Sequence, residues 1–342
     1  MGVAIRPTIV RMGKASRTKQ APDRRARIAA QRESARRAEQ RKRIFLAGGS
    51  IVVVVIVVVV LVLVKASHNG GKAGSSSEGP TGASLTSLTT QVTGVPQSVL
   101  DKVGSGSIST SDFIPASQIP SAGASGGGYF SHVNGTPLTS GGHPEVLYVG
   151  AEYCPYCAAE RWSMITALSR FGTFSGLKTI HSSSTDSYPN TPTWTFYGST
   201  YTSNYITFTP VETEANYRQG NSSNTSVPYV ALQTPTSDED ALLTKYDPGN
   251  PSQGGGGAIP FIDLGNQFVE VGNMGPYGPA DLQGKNWNQV AAAMTQPSSA
   301  IAKGADGSAN YLIAGICKLT NNQPATACTP AIQSIEAKIA ST

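Results

Sequence analysis

Beyond a basic tail over residues 1–43, hydrophobic and polar positions divide this chain into three stretches with different rhythms. Ile44 to Val64 is 21 residues without a charge, dominated by Val and Ile and bounded by Arg41-Lys42-Arg43 and Lys65. About 20 apolar residues span the hydrocarbon core of a bilayer as a helix. The run also exceeds the roughly 7–15 apolar residues of a cleavable signal peptide. The expectation is one transmembrane helix over 44–64, retained as an anchor. Residues 65–90 are rich in Gly, Ser and Thr and predict a flexible linker. From 91 to 342 short apolar segments alternate with polar ones, as in a folded domain.

Within that domain the period changes repeatedly. Glu145-Val146-Leu147-Tyr148-Val149-Gly150 reads as a short buried strand closed by a glycine. Ala158, Trp162, Ile165 and Leu168 then recur at spacings of three and four, which predicts a helix with Gly172 as its C′ stop. Upstream, a short helix is expected around Pro96–Lys102 and a loop over the Gly/Ser-rich Ser121–Gly128. Downstream, Leu177–His181 reads as a strand, and Thr193–Tyr197 and Tyr205–Thr209 alternate with period two. Asp238–Tyr246 predicts a short helix. Ala258–Leu264 and Gln267–Val271 predict a hairpin turning at Gly265-Asn266, and helical patterns close the chain at 286–294, 310–319 and 331–339. Strand, helix, further strands, a hairpin and terminal helices make an α/β domain.

Charge changes the picture at one end only. Residues 1–43 carry 14 Lys/Arg and 3 Asp/Glu, a net of +11, while the whole chain has a net of +5, so residues 44–342 carry −6. The basic balance belongs to the tail, and the domain is mildly acidic. No aromatic residue interrupts the basic run to stack on bases, so no nucleic-acid partner is expected. The run instead reads as a topology signal that keeps the N-terminus cytoplasmic and draws it to anionic lipid headgroups. Everything after Lys65 is then extracytoplasmic, in the cell membrane's outer compartment.

All four cysteines fall on that side: Cys154, Cys157, Cys317 and Cys328. An even number in an oxidising compartment suits disulfide chemistry, and proximity favours Cys154 with Cys157 and Cys317 with Cys328 among the three possible pairings. Cys154-Pro155-Tyr156-Cys157 sits where the strand gives way to the helix. Pro155 suits a first helical turn, and Cys154 at a helix N-terminus has its thiolate favoured by free N–H groups and the helix dipole. A lone C-x-x-C allows a zinc half-site, a structural disulfide or a redox pair. The other cysteines have ten residues between them and His68, His132, His143 and His181 show no paired spacing, which argues against zinc and leaves no metal or cofactor expected. A two-residue loop gains little as a staple, because stabilisation grows with loop length. Cys317–Cys328 encloses ten residues and reads as a structural disulfide worth on the order of 2–4 kcal/mol.

Pro260 lies inside an apolar strand, Ile259-Pro260-Phe261, where proline is out of place without a purpose. The strand–Cys-x-x-Cys–helix unit and the Ile-Pro before a hairpin resemble the thioredoxin superfamily. Val149–Trp162, together with Thr191–Phe196, Tyr201, Tyr205 and Phe208, is similar to a thioredoxin-like family, DUF929. The resemblance implies a thioredoxin-like domain in which Pro260 is cis beside the dithiol and the Ile259 backbone meets the substrate. Two departures stand out. The strand before the motif has no buried acid, so Glu152 or Glu160 would have to help move protons, and Glu152 would also oppose the Cys154 thiolate. Cys154 and Pro260 are 106 positions apart, which leaves room for a large insertion, whose aromatic residues read more readily as a core extension than as a cover for the site.

These features predict a membrane-anchored, extracytoplasmic thiol–disulfide oxidoreductase. Its catalytic residues would be Cys154 and Cys157, supported by Pro155, Tyr156, Ile259 and Pro260. Its partners would be protein thiols or disulfides outside the cytoplasm and a redox partner protein. The alternative is a non-catalytic thioredoxin-like binding module with Cys154–Cys157 as a structural bridge.

Overall fold

The computed structural model describes residues 79–109, 113, 129–248, 257–273 and 277–339. The chain divides into two units, 1–73 and 74–342, and all the described residues belong to the second. The basic tail, the apolar stretch 44–64, the linker as far as residue 78 and the loop 121–128 lie outside them. Among the described residues no helix is long and apolar enough to cross a membrane.

The first elements are α1 (Gly82–Thr93) and α2 (Gln97–Val103). The second meets the expected helix at 96–102, but α1 corrects the linker, which the sequence pattern extends to residue 90. A Thr-rich run reads as tether, yet each hydroxyl folds back onto the preceding turn: Thr89 to Leu85 O at 2.8 Å, Thr90 to Thr86 O at 2.9 Å and Thr93 to Thr89 O at 2.8 Å. Leu88 and Val92, four apart, supply the buried stripe.

The central sheet is built on β3 (His143–Gly150). It pairs in parallel with β8 (Thr207–Glu212) on one side and antiparallel with β11 (Phe261–Leu264) on the other. The edge beyond β11 is completed by β12 (Phe268–Val271) and β1 (Tyr129–His132), both antiparallel, while the short β2 (Thr139–Ser140) pairs with the start of β3. Val146 and Tyr148 face one core, and Leu147 and Val149 the other. Burial on both faces explains why the strand is a continuous apolar run. The hairpin turns where expected, with Gly265 (φ 63°) and Asn266 (φ 55°) both left-handed.

Helix α3 (Pro155–Leu168) packs on the first face, buried at every position but Tyr156. Against the same core lie α6 (Trp287–Met294) and α7 (Gly307–Leu319), with a short α5 (Pro279–Leu282) between hairpin and α6. Gly315 lets α7 approach the sheet, since a Cβ there would fall 2.5 Å from Leu264 Cδ1. Helix α4 (Ser237–Tyr246) covers the other face through Tyr246, Leu242 and Leu243. It opens with a Thr236–Glu239 capping box. Helix α8 (Pro330–Ile339) packs on α7, and the expected Cys317–Cys328 disulfide is formed at the end of α7.

Between α3 and α4 lie β4 (Gly172–Ser175), β5 (Lys178–His181), β6 (Pro192–Thr195), β7 (Thr200–Ser203), β9 (Glu214–Arg218) and β10 (Tyr229–Ala231). They pair as β4–β7, β5–β6 and β9–β10. Gly172 is therefore not a helix stop. The helix ends at Leu168 and Gly172 opens β4, where a Cβ would lie 2.5 Å from Thr202 O. The aromatics of this region do extend the core, with Trp194 and Phe196 fully buried and Phe174, Phe196, Tyr201 and Phe208 in mutual ring contact.

Candidate functional site

The two thiols sit at the junction of β3 and α3. Cys154 is the N-cap of α3 in extended conformation, and its Sγ accepts the Cys157 N–H at 3.2 Å. Pro155 takes the first helical position, where its missing donor costs nothing. Cys157 points inward from the same turn. Both are free thiols, Cys154 being 5% exposed and Cys157 wholly buried.

Their acidities diverge. Burial pushes the Cys154 thiol up, but the Cys157 side chain and N–H, the Arg161 charge and the Tyr156 backbone outweigh it and hold the thiol below its ordinary value. Burial pushes Cys157 well above its ordinary value, and so does its neighbour Cys154, with Arg161 and the Ala151 backbone opposing. One sulfur is thus the more acidic of the two and the other is held as a thiol.

The Ile259–Pro260 peptide is cis and abuts the dithiol. The Cys154 thiol donates to the Ile259 carbonyl at 3.6 Å, and Ile259 packs on the small cluster of Ala151, Cys154 and Cys157. Tyr156 stands 43% exposed beside it, edge-on to Tyr188 at 6.1 Å between ring centroids. Tyr153 stacks on Tyr229 at 4.1 Å, with the Arg218 guanidinium over the Tyr229 ring.

Residues 129–318, more than half of the chain and the whole of this site, match the family model described as a domain of unknown function, DUF929. The chain belongs to the DUF929 family. No curated protein and no solved structure matches it.

The two carboxylates expected to assist the DUF929 dithiol have hydrogen-bond partners of their own. Glu152 accepts the Thr195 hydroxyl at 2.6 Å, and burial raises its pKa. Glu160 is fully buried, accepting Asn273 Nδ2 at 2.9 Å and Ser308 Oγ at 3.0 Å. Burial pushes it up to about 7, against the pull of these donors, Glu270 and Ser163.

The structure also brings residues to the site that the sequence pattern does not single out. Arg161, one residue past Glu160, is wholly buried and pairs with Glu212 at the end of β8, through Nε to Oε1 at 2.8 Å and Nη2 to Oε2 at 2.6 Å. Its Nη2 also reaches the Ala151 carbonyl at 2.7 Å, tying the cation to the loop that carries Cys154. Tyr148, on β3, brings its hydroxyl to the glycine beside the motif. A Cβ on Gly150 would lie 2.2 Å from that oxygen and 3.1 Å from Cys157 Sγ. The available signal is two charges in succession, Glu160-Arg161, in an otherwise apolar helix, since charges buried on both sides of a helix need partners. Among the described residues no group of three or more His, Cys, Asp or Glu side chains is placed to hold a metal ion.

Proposed function

We propose that this protein is a membrane-anchored, extracytoplasmic thiol–disulfide oxidoreductase with a thioredoxin-like core. The observation that carries the proposal is the unequal dithiol, Cys154 acidified and Cys157 not, set against a cis Ile259–Pro260 peptide. The resemblance to the thioredoxin superfamily is supported by the strand order β8-β3-β11-β12, with the motif helix after β3 and the cis-proline opening β11. The Cys154 thiolate attacks a protein disulfide and forms a mixed disulfide, which Cys157 then attacks to release the product. A redox partner protein returns the pair to its starting state. The near burial of Cys154 is what favours the second reading, a binding module in which the pair never exchanges with substrate.

The two readings separate on a trap. A Cys157→Ser variant cannot resolve its mixed disulfides, so it is expected to accumulate adducts with extracytoplasmic proteins that a reductant releases. No adducts, together with a reduction potential below about −300 mV as in structural bridges, would leave the binding module. The proposed orientation has its own check. After mild reduction of intact cells, a membrane-impermeant thiol reagent is expected to label the protein. Labelling only after lysis would place the domain on the other side.

A further inference from the structure

The proposed exchange leaves one requirement unmet: Cys157 must become a thiolate in a site that burial makes hostile to charge. β3, the strand leading into the motif, carries no carboxylate near the sulfur, and Glu152 and Glu160 are committed to Thr195, Asn273 and Ser308. Two buried donors near this sulfur lack acceptors: the Tyr148 hydroxyl and Arg161 Nη1. Buried polar groups are nearly always paired, and an orphan costs on the order of 1–3 kcal/mol. Two orphans in one place call for a function.

Their positions give one. The Tyr148 hydroxyl and Cys157 Sγ converge on the bare face of Gly150. The Arg161 guanidinium lies 5.9 Å from the Tyr148 ring and is clamped by Glu212 and the Ala151 carbonyl, which leaves Nη1 over. Neither donor bonds the Cys157 sulfur as it stands, while the Arg161 charge already favours the Cys157 thiolate. We infer that Tyr148 and Arg161 form a thiolate hole for Cys157, doing by hydrogen bonding and charge what a neighbouring base would otherwise do by accepting a proton.

This deepens the redox reading and rests on it. In the resolving step Cys157 gives up its proton and its sulfur attacks Cys154 Sγ. The bond between Cys154 and the substrate breaks, and the substrate leaves as a thiolate that takes up the proton. Cys154 and Cys157 are oxidised to a disulfide as the substrate's disulfide is reduced. No separate base is required. Tyr148 and Arg161 are positioning residues, since both act through Cys157.

The test titrates Cys157 alone, in a Cys154→Ala background, by the ultraviolet absorbance of its thiolate. Tyr148→Phe removes one oxygen and is expected to raise the midpoint by about one pH unit. Arg161→Met with Glu212→Gln, which strands no charge, is expected to raise it at least as far, and Arg161→Lys to restore part of the shift. With both cysteines present, the Tyr148→Phe protein should resolve mixed disulfides about tenfold more slowly. An unchanged Cys157 midpoint in folded Tyr148→Phe and in the double variant would overturn the thiolate hole. The titration uses no substrate, so its outcome is separate from that of the trap, which decides whether the dithiol exchanges at all.

Discussion

Arg161→Ala is expected to lower the stability of the fold by about 3–5 kcal/mol, because it strands a wholly buried Glu212 carboxylate in low dielectric. The loss comes from what remains rather than from what was removed. Glu212 would keep only the Phe196 N–H at 3.3 Å as a donor to Oε1, and the Ala151 carbonyl would lose its guanidinium donor. Replacing both partners at once, Arg161→Met with Glu212→Leu, should therefore recover much of the loss, since a buried ion pair contributes little net stability over a well-packed apolar pair. Chemical denaturation of the two variants beside the parent checks this. Equal losses in both would mean that the pair stabilises the fold by its own attraction. The comparison matters for function too, because the apolar pair should keep the fold while abolishing the charge that lowers the Cys154 pKa.

The second large effect is on pH. Burial raises three carboxyls far above their ordinary values: Glu160 from 4.5 to about 7, Asp263 from 3.8 to about 7 and Asp247 from 3.8 to about 6. A raised carboxyl holds its proton more tightly in the fold than in the unfolded chain. The native state therefore carries more protons between the two values, and stability falls as pH rises through that window. These groups favour the fold fully below about pH 4 and cost most above about pH 7. The melting temperature is expected to decline from about pH 5 to about pH 8, against the usual plateau. Glu160→Gln keeps the shape and removes the titration, so it should flatten that decline by about 2–3 kcal/mol, each tenfold change in proton affinity being worth about 1.4 kcal/mol. A parent whose melting temperature is level across the window, or a variant with the same slope, would show that Glu160 is ionised in the fold without penalty.

The legible parts of the fold are those whose apolar pattern spans a whole element. β3 and α3, the 261–271 hairpin and the helices at 237–246 and 287–294 all carry uninterrupted stripes. Helix α1 is hidden by threonines whose hydroxyls satisfy the backbone locally, an arrangement that composition does not reveal. β8 runs on to Glu212 through Pro210, a residue that ordinarily argues against a central strand; here β3 is its ladder partner. The dithiol and its proline are legible because each breaks a local rule, a proline in a strand or a cysteine pair at a helix start. Arg161 and Glu212 are not, because they are 51 positions apart and meaningful only together. Tyr148 looks in the sequence like one more apolar strand residue, and only the space over Gly150 shows that its hydroxyl and the Cys157 sulfur approach the same spot.

The distal disulfide has a consequence for how the chain matures. Cys317–Cys328 has to be made while two other thiols are present, one of them acidified for attack. Packing α3 onto β3 covers Cys157 fully and leaves only an edge of Cys154 exposed. The near burial of Cys154 therefore limits the protein's own chemistry: once α3 is in place, Cys157 is withheld and Cys154 meets only a disulfide brought to its exposed edge. A chain oxidised before α3 docks has no such protection, so the yield of correctly paired protein should depend on folding running ahead of oxidation.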